Sequence, residues 1–88
     1  MGRMPEISRF LGIVIGMHYS DHGVPHFLAV YGERKVSVEV ESGVVHGNFP
    51  TRALRHVREW ASLHRAELVA NWDLARRGEP LNRIAPLE

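Results

Sequence analysis

The chain contains no cysteine. That excludes a disulfide scaffold, a Cys-type zinc finger and a thiol nucleophile. It also lacks a long apolar run. The most apolar stretch, residues 10–17, is about eight residues long and broken by glycine, against the roughly 20 that a membrane span needs. Nothing near the N-terminus reads as a signal peptide, so a cytoplasmic protein with no membrane association is expected. Charge of either sign is scarce in excess: 88 residues carry a net charge of only +1. This argues against a polycation that coats nucleic acid. No glycine-rich phosphate loop, serine-based triad or nucleotide fingerprint is present, and no cofactor is expected. What the chain does have is histidine, with six in 88 residues. The length fits a single domain, 1–88, whose core is thin for its surface. With no covalent staple, a homodimer or a cognate partner protein is expected.

Hydrophobic patterning divides the chain in two. Residues 9–49 alternate as strands do, and residues 50–77 follow a helical period. Leu11, Ile13, Ile15, Met17 and Tyr19 share one face, which reads as a strand over 9–19. Ser20 to Pro25 is a loop by composition. His26 to Tyr31 reads as a second strand, and Gly32-Glu33 as a tight turn. In residues 34–41, Val36, Val38 and Val40 alternate with polar residues, as in a sheet with one wet face. Ser42-Gly43 turns into a short strand over 44–49. The expected fold is therefore α+β: a three- to four-stranded antiparallel meander, then one long amphipathic helix, straight or kinked, and an extended C-terminal tail over 78–88.

The helix is expected to start near Pro50 and to stop at Gly78, with Pro80 just beyond. Leu54, Val57, Ala61, Leu68, Trp72 and Ala75 fall within about 60° of arc, which favours one helix over two. Such a helix would run roughly 42 Å. A compact chain of this size is only about 30 Å across. The helix would then overhang, bend near His64–Ala66, or pack on another chain, and the last is the expectation. In the tail, Leu81, Ile84 and Leu87 are expected to dock back as anchors. Whether Leu87-Glu88 is native is not legible in the sequence.

His18, His22 and His26 recur at four-residue spacing around the loop. Two histidines suit acid–base cleavage of RNA, one taking the 2′-hydroxyl proton and the other protonating the leaving oxygen. The catalytic set under this reading is His22 and His26, with Asp21 orienting an imidazole and Tyr31 holding phosphate. A metal site from His18, His22 and His26 is weaker, and no metal is assigned. The plainest reading makes the loop histidines structural. On the helix, Arg55, Arg58, Arg65 and Arg76 share one shoulder. They could grip phosphate or an acidic partner, or form a solvated face with Arg55–Glu59 and Asp73–Arg77 pairs. His56, Trp60 and His64 follow one another on the other shoulder. Trp60 and Trp72 read as core or interface anchors, and they complete the candidate binding set. His46 has no visible partner.

Several segments together resemble a bacterial domain-of-unknown-function family, number 4160 in that series. The opening Met4-Pro5-Glu6-Ile7-Ser8-Arg9-Phe10 is similar to its usual start. The loop Asp21-His22-Gly23-Val24-Pro25-His26-Phe27, followed by Tyr31-Gly32-Glu33, resembles its signature. Leu54, Glu59-Trp60-Ala61, Leu63-His64-Arg65, Asn71-Trp72 and Leu74-Ala75 resemble its second half. The resemblance implies that Met1-Gly2-Arg3 is an upstream extension. Two positions depart from the pattern: Val24 stands where a proline is common, and Leu28 where a further histidine is common. The family's small proteins are encoded beside a second small domain and are often counted among toxin–antitoxin candidates. The resemblance therefore implies a two-protein module of that type, and the histidine loop read from the residues would be its site of action on RNA. The alternative is a non-enzymatic regulatory module that binds protein or, less favoured, DNA.

Overall fold

The computed structural model describes residues 4–88, so the expected extension Met1-Gly2-Arg3 lies outside the described residues. The described chain is α+β, an antiparallel sheet followed by helix. It contains β1 (Glu6–Phe10), β2 (Ile13–Gly16), β3 (His26–Tyr31), β4 (Arg34–Glu39) and β5 (Val45–His46). These five strands lie side by side in sequence order, each antiparallel to the next. The meander is thus one strand larger than expected.

The extra strand comes from the N-terminal segment. The single strand expected over 9–19 is in fact a hairpin, because Phe10 pairs with Ile13 and Leu11-Gly12 makes the turn. Both turn residues have positive φ, +52° and +78°. That geometry suits a two-residue hairpin, since its twist matches the right-handed twist of the strands it joins. The reversal lifts Leu11 off the core face. Leu11 is 61% exposed, while Ile13, Ile15 and Met17 are buried. Tyr19, past the end of β2, is also exposed. The fold gains Ile7 and Phe10 as core residues of β1. β3 spans the expected residues, β4 is shorter, and the last strand contracts to Val45–His46.

Two helices follow, α1 (Thr51–Leu63) and α2 (Arg65–Arg76). The single helix over 50–77 is corrected by a break at His64, which sits at φ −124° and ψ 28°. There the His64 amide bonds back to Ala61 O at 3.2 Å, one residue short of the helical step, and Leu68 N to His64 O restarts the ladder. The His64 ring covers Trp60, with centroids 5.6 Å apart, and its Nδ1 meets Glu67 Oε1 at 2.5 Å. No glycine or proline marks the site, so the period alone reads through it. The break lets both helices follow the core, and the molecule measures 33 × 26 × 22 Å. The overhang that called for a second chain is gone.

The break also changes which face is buried. On α1 the buried residues are Ala53, Val57 and Trp60, and on α2 they are Leu68, Asn71, Trp72 and Ala75. The expected stripe through Leu54, Val57 and Ala61 lies about 65° away on α1. Trp60 moves from a shoulder to the centre of the core. Its ring packs on Phe10 and edge-on to Phe27, and its Nε1 donates to Ala85 O at 2.8 Å.

Past α2, Gly78 has φ +71°. Its amide donates to Ala75 O and the Glu79 amide to Leu74 O. That pair of bonds satisfies the last carbonyls and stops the helix where expected. The tail then docks back. Ile84 is buried, its amide donates to Ile7 O on β1 at 2.8 Å, and Leu81 and Leu87 pack beside the core. The Asn71 side chain holds both backbone groups of Asn82, at 2.8 and 2.9 Å. The tail thereby covers part of the β1 edge, which would otherwise offer unpaired backbone groups to another chain.

Candidate functional site

The loop from β2 to β3 is pinned to α2 by Ser20 N, which donates to Ala75 O at 3.1 Å. Asp21 then organises the loop. Its Oδ1 accepts from the His22 amide at 2.8 Å, and its Oδ2 meets His26 Nε2 at 2.9 Å. The other ring nitrogen of His26, Nδ1, lies 2.8 Å from Val24 O. The ring also packs on Trp72, with centroids 4.9 Å apart. Burial pushes the Asp21 carboxyl up, but the His22 amide, the His26 ring and the positive charge of His26 and His18 outweigh it. The net shift is downward.

This arrangement constrains what His26 can do. A carboxylate and a carbonyl oxygen can only accept, so both contacts are satisfied only when both ring nitrogens carry protons. Each ring nitrogen faces an oxygen of the loop itself. The ring acts as a cross-link between the two ends of the loop.

His22 is the freer residue. It is exposed, and with Ser20, Asp21, Gly23 and Arg76 it lines a shallow polar cleft of about 310 Å³. The structure thus brings Asp21, His22 and His26 together and adds Arg76 from the last turn of α2. Tyr31 does not join them. It stands at the opposite end of β3 from His26, about 17 Å away at strand rise. There it packs near Phe49, with centroids 6.1 Å apart. Among the described residues no group of three or more His, Cys, Asp or Glu comes together to hold a metal ion.

The helix arginines do not form one row. Arg58 and Arg65 face a groove beneath the β4–β5 turn, and Arg76 lies at the His22 cleft. The i,i+4 pairs are not made: Arg77 bonds Glu79 instead, at 3.2 Å. Among the described residues Arg52, Arg55, Arg58, Arg65 and Arg76 form no ion pair. Trp60 and Trp72 are buried and cannot meet a partner without unfolding, so of the two roles read for them the core one applies. His46, expected to be alone, has its Nε2 2.9 Å from Glu39 Oε2. The His46 ring and the Ser42 hydroxyl hold the Glu39 carboxyl below its usual value. This cross-strand contact was hidden because Glu39 and His46 lie on either side of a turn whose register the sequence leaves open.

Sequence reading also missed Leu11, Arg52 and His56. With Ile13, Tyr31, Pro50 and Ala53 they line a concavity between the β1–β2 turn and the start of α1. The readable signal was Leu11-Gly12, a hairpin turn in place of the more usual Asn-Gly.

A five-stranded antiparallel meander backed by two short helices, with a carboxylate–imidazole pair in the β2–β3 loop, defines a small α+β domain. The chain belongs to the family described as domain of unknown function DUF4160, whose model matches residues 12–73. No curated protein and no solved structure matches the chain. No helix among the described residues is long and apolar enough to cross a membrane.

Proposed function

We propose that this protein is a non-enzymatic binding module, the partner-recognising member of a bacterial two-protein module of the toxin–antitoxin type. The observation that carries this reading is His26, whose two ring nitrogens each face an oxygen that can only accept. A histidine so held ties the two ends of the loop together, with each ring nitrogen taken up by an oxygen of the loop itself. Tyr31, at the far end of β3, adds nothing to chemistry at that loop. Arg52, Arg55, Arg58, Arg65 and Arg76, without an ion pair among the described residues, suit recognition of an acidic surface, where charge steers encounter and selects the partner.

The reading is tested by co-expression with the protein encoded beside it, followed by size-exclusion chromatography and an RNA-cleavage assay on each purified form. A stable complex and no cleavage by the isolated chain are expected. A second reading has one observation in its favour, the shared cleft of His22 and Arg76. On that reading the isolated chain cuts RNA and slows growth, and folded His22→Ala with His26→Ala relieves both. That outcome overturns the binding-module reading.

A further inference from the structure

We infer that the concavity between the β1–β2 turn and the start of α1 docks an acidic segment of a partner protein through one apolar anchor residue. The inference rests on the binding-module reading and names the surface and the chemistry of its partner.

The floor is apolar. Leu11 and Ala53 line it with Tyr31, and Leu11 and Tyr31 are 61% and 40% exposed. Leu11 is the unusual member. A leucine at φ +52° holds a backbone conformation that asparagine or glycine would adopt with less strain, and its side chain stands out in solvent. The fold therefore gains little from a leucine there. Strain retained without a folding benefit points to use of the side chain. The volume, about 280 Å³, suits one inserted side chain better than a larger ligand.

The rim decides the sign of the partner. Arg52 and His56 line the concavity, no acidic residue does, and neither has a partner among the described residues. The first turn of α1 contains no acidic residue and no side-chain cap. Its free amides add positive potential on the same side. An apolar floor with a cationic rim complements an aliphatic or aromatic residue flanked by carboxylates. A nucleic-acid backbone fits less well. It would need a line of arginines, and the break at His64 divides these between separate places.

The test uses the whole chain, labelled with ¹⁵N, and a short synthetic peptide with one leucine flanked by aspartate and glutamate. Two control peptides replace the leucine by serine, or the acids by their amides. A short single-stranded RNA is the competing probe. The acidic leucine peptide should shift the amides of residues 11–13, 31 and 51–56. Each control should bind about tenfold more weakly, as expected for loss of a hot-spot contact. Leu11→Asn keeps a favourable turn, so it removes the anchor without unfolding the hairpin, and it should also weaken binding about tenfold. Arg52→Glu should do the same. The inference falls if no shifts appear, if they map elsewhere, or if the serine control binds equally. It falls also if RNA produces the same shifts at lower concentration. The reading beneath it is judged separately. If wild type and Leu11→Asn form the same complex with the neighbour-encoded protein, this surface is excluded and the module reading stands. If wild type forms no complex and cuts RNA, the module reading itself fails.

Discussion

The two ends of β3 are built on opposite principles. At the His26 end the polar groups are closed on one another: Asp21 accepts from His22 and pairs with His26, His26 reaches Val24, and Trp72 stacks on the ring. At the Tyr31 end an exposed leucine is held at positive φ, and the nearby Arg52 and His56 have no ion pair among the described residues. The histidine-rich end draws attention in the sequence because histidine is associated with catalysis. In the folded chain its Asp21 and His26 are bound to each other, while His22 and Arg76 beside them line an open cleft. An abundance of reactive side chains is a weaker sign of a working surface than side chains left strained, exposed and without partners.

Substitutions at each end sharpen this contrast. The largest effect is expected where closure reaches the core. Asn71→Ala, beside Trp72, strips both Asn82 backbone groups of their partners and should destabilise by about 2–4 kcal/mol, from the cost of orphaned buried groups. Urea denaturation measures it, and a loss below about 1 kcal/mol would show that the tail is not clipped by this residue. His26→Ala should cost about 1–3 kcal/mol by removing the ring that meets Asp21 Oδ2 and Val24 O and packs on Trp72. Faster exchange of loop amides 21–24 should accompany it. If stability and exchange are unchanged, the loop is not held closed by this ring.

At the open end the sign reverses. Leu11→Asn relieves the left-handed strain and should stabilise by about 1 kcal/mol. That is a rise in Tm of about 4–8 °C for a domain of this size. A stabilised variant with weakened partner binding would express the contrast in one substitution, whereas a lower Tm would break it.

The acid response separates the ends by pH. The Asp21 carboxyl lies below its usual range in the folded chain. Its contribution is therefore fully present above the unfolded value, about 3.9, and is lost as pH falls through the lower folded value. The advantage of wild type over Asp21→Asn should shrink in that window. Glu6 behaves likewise, with the Arg9 and Arg83 guanidinium groups holding its pKa down to about 2. The difference between wild type and Glu6→Gln should be the smallest of the set, because these side chains face water and salt screens them. It should close between the ordinary carboxylate range and pH 2 in urea midpoints, and a difference that grows with acid would refute the pairing.

Much of the architecture was legible because it depends on local rules. Valine alternation located β4, composition isolated the loop before His26, Gly78 stopped the helix, and Leu81, Ile84 and Leu87 marked the docking tail. Two features were not decided by the pattern, and each depends on packing: the reversal at Leu11-Gly12 and the bend at His64 in place of a straight helix. Leu11-Gly12 could continue an alternating strand or reverse it, and the partners gained by Ile7 and Phe10 in the core decide for reversal. His64 breaks the helix without a breaker residue, stabilised by Trp60 beneath its ring and Glu67 ahead of it. The candidate site divides in the same way. The Asp21-His22-His26 cluster is local and was readable, while the separation of Tyr31 and the arrival of Arg76 follow from strand direction and from the path of α2.

By itself, then, the sequence determined an α+β chain with a histidine loop, a helical half and a returning tail, because alternation, turn chemistry and helix stops act over a few residues. Only the tertiary structure decided which end of β3 is closed and which is open. That outcome depends on which groups from distant segments meet and satisfy one another, and no local pattern encodes those meetings.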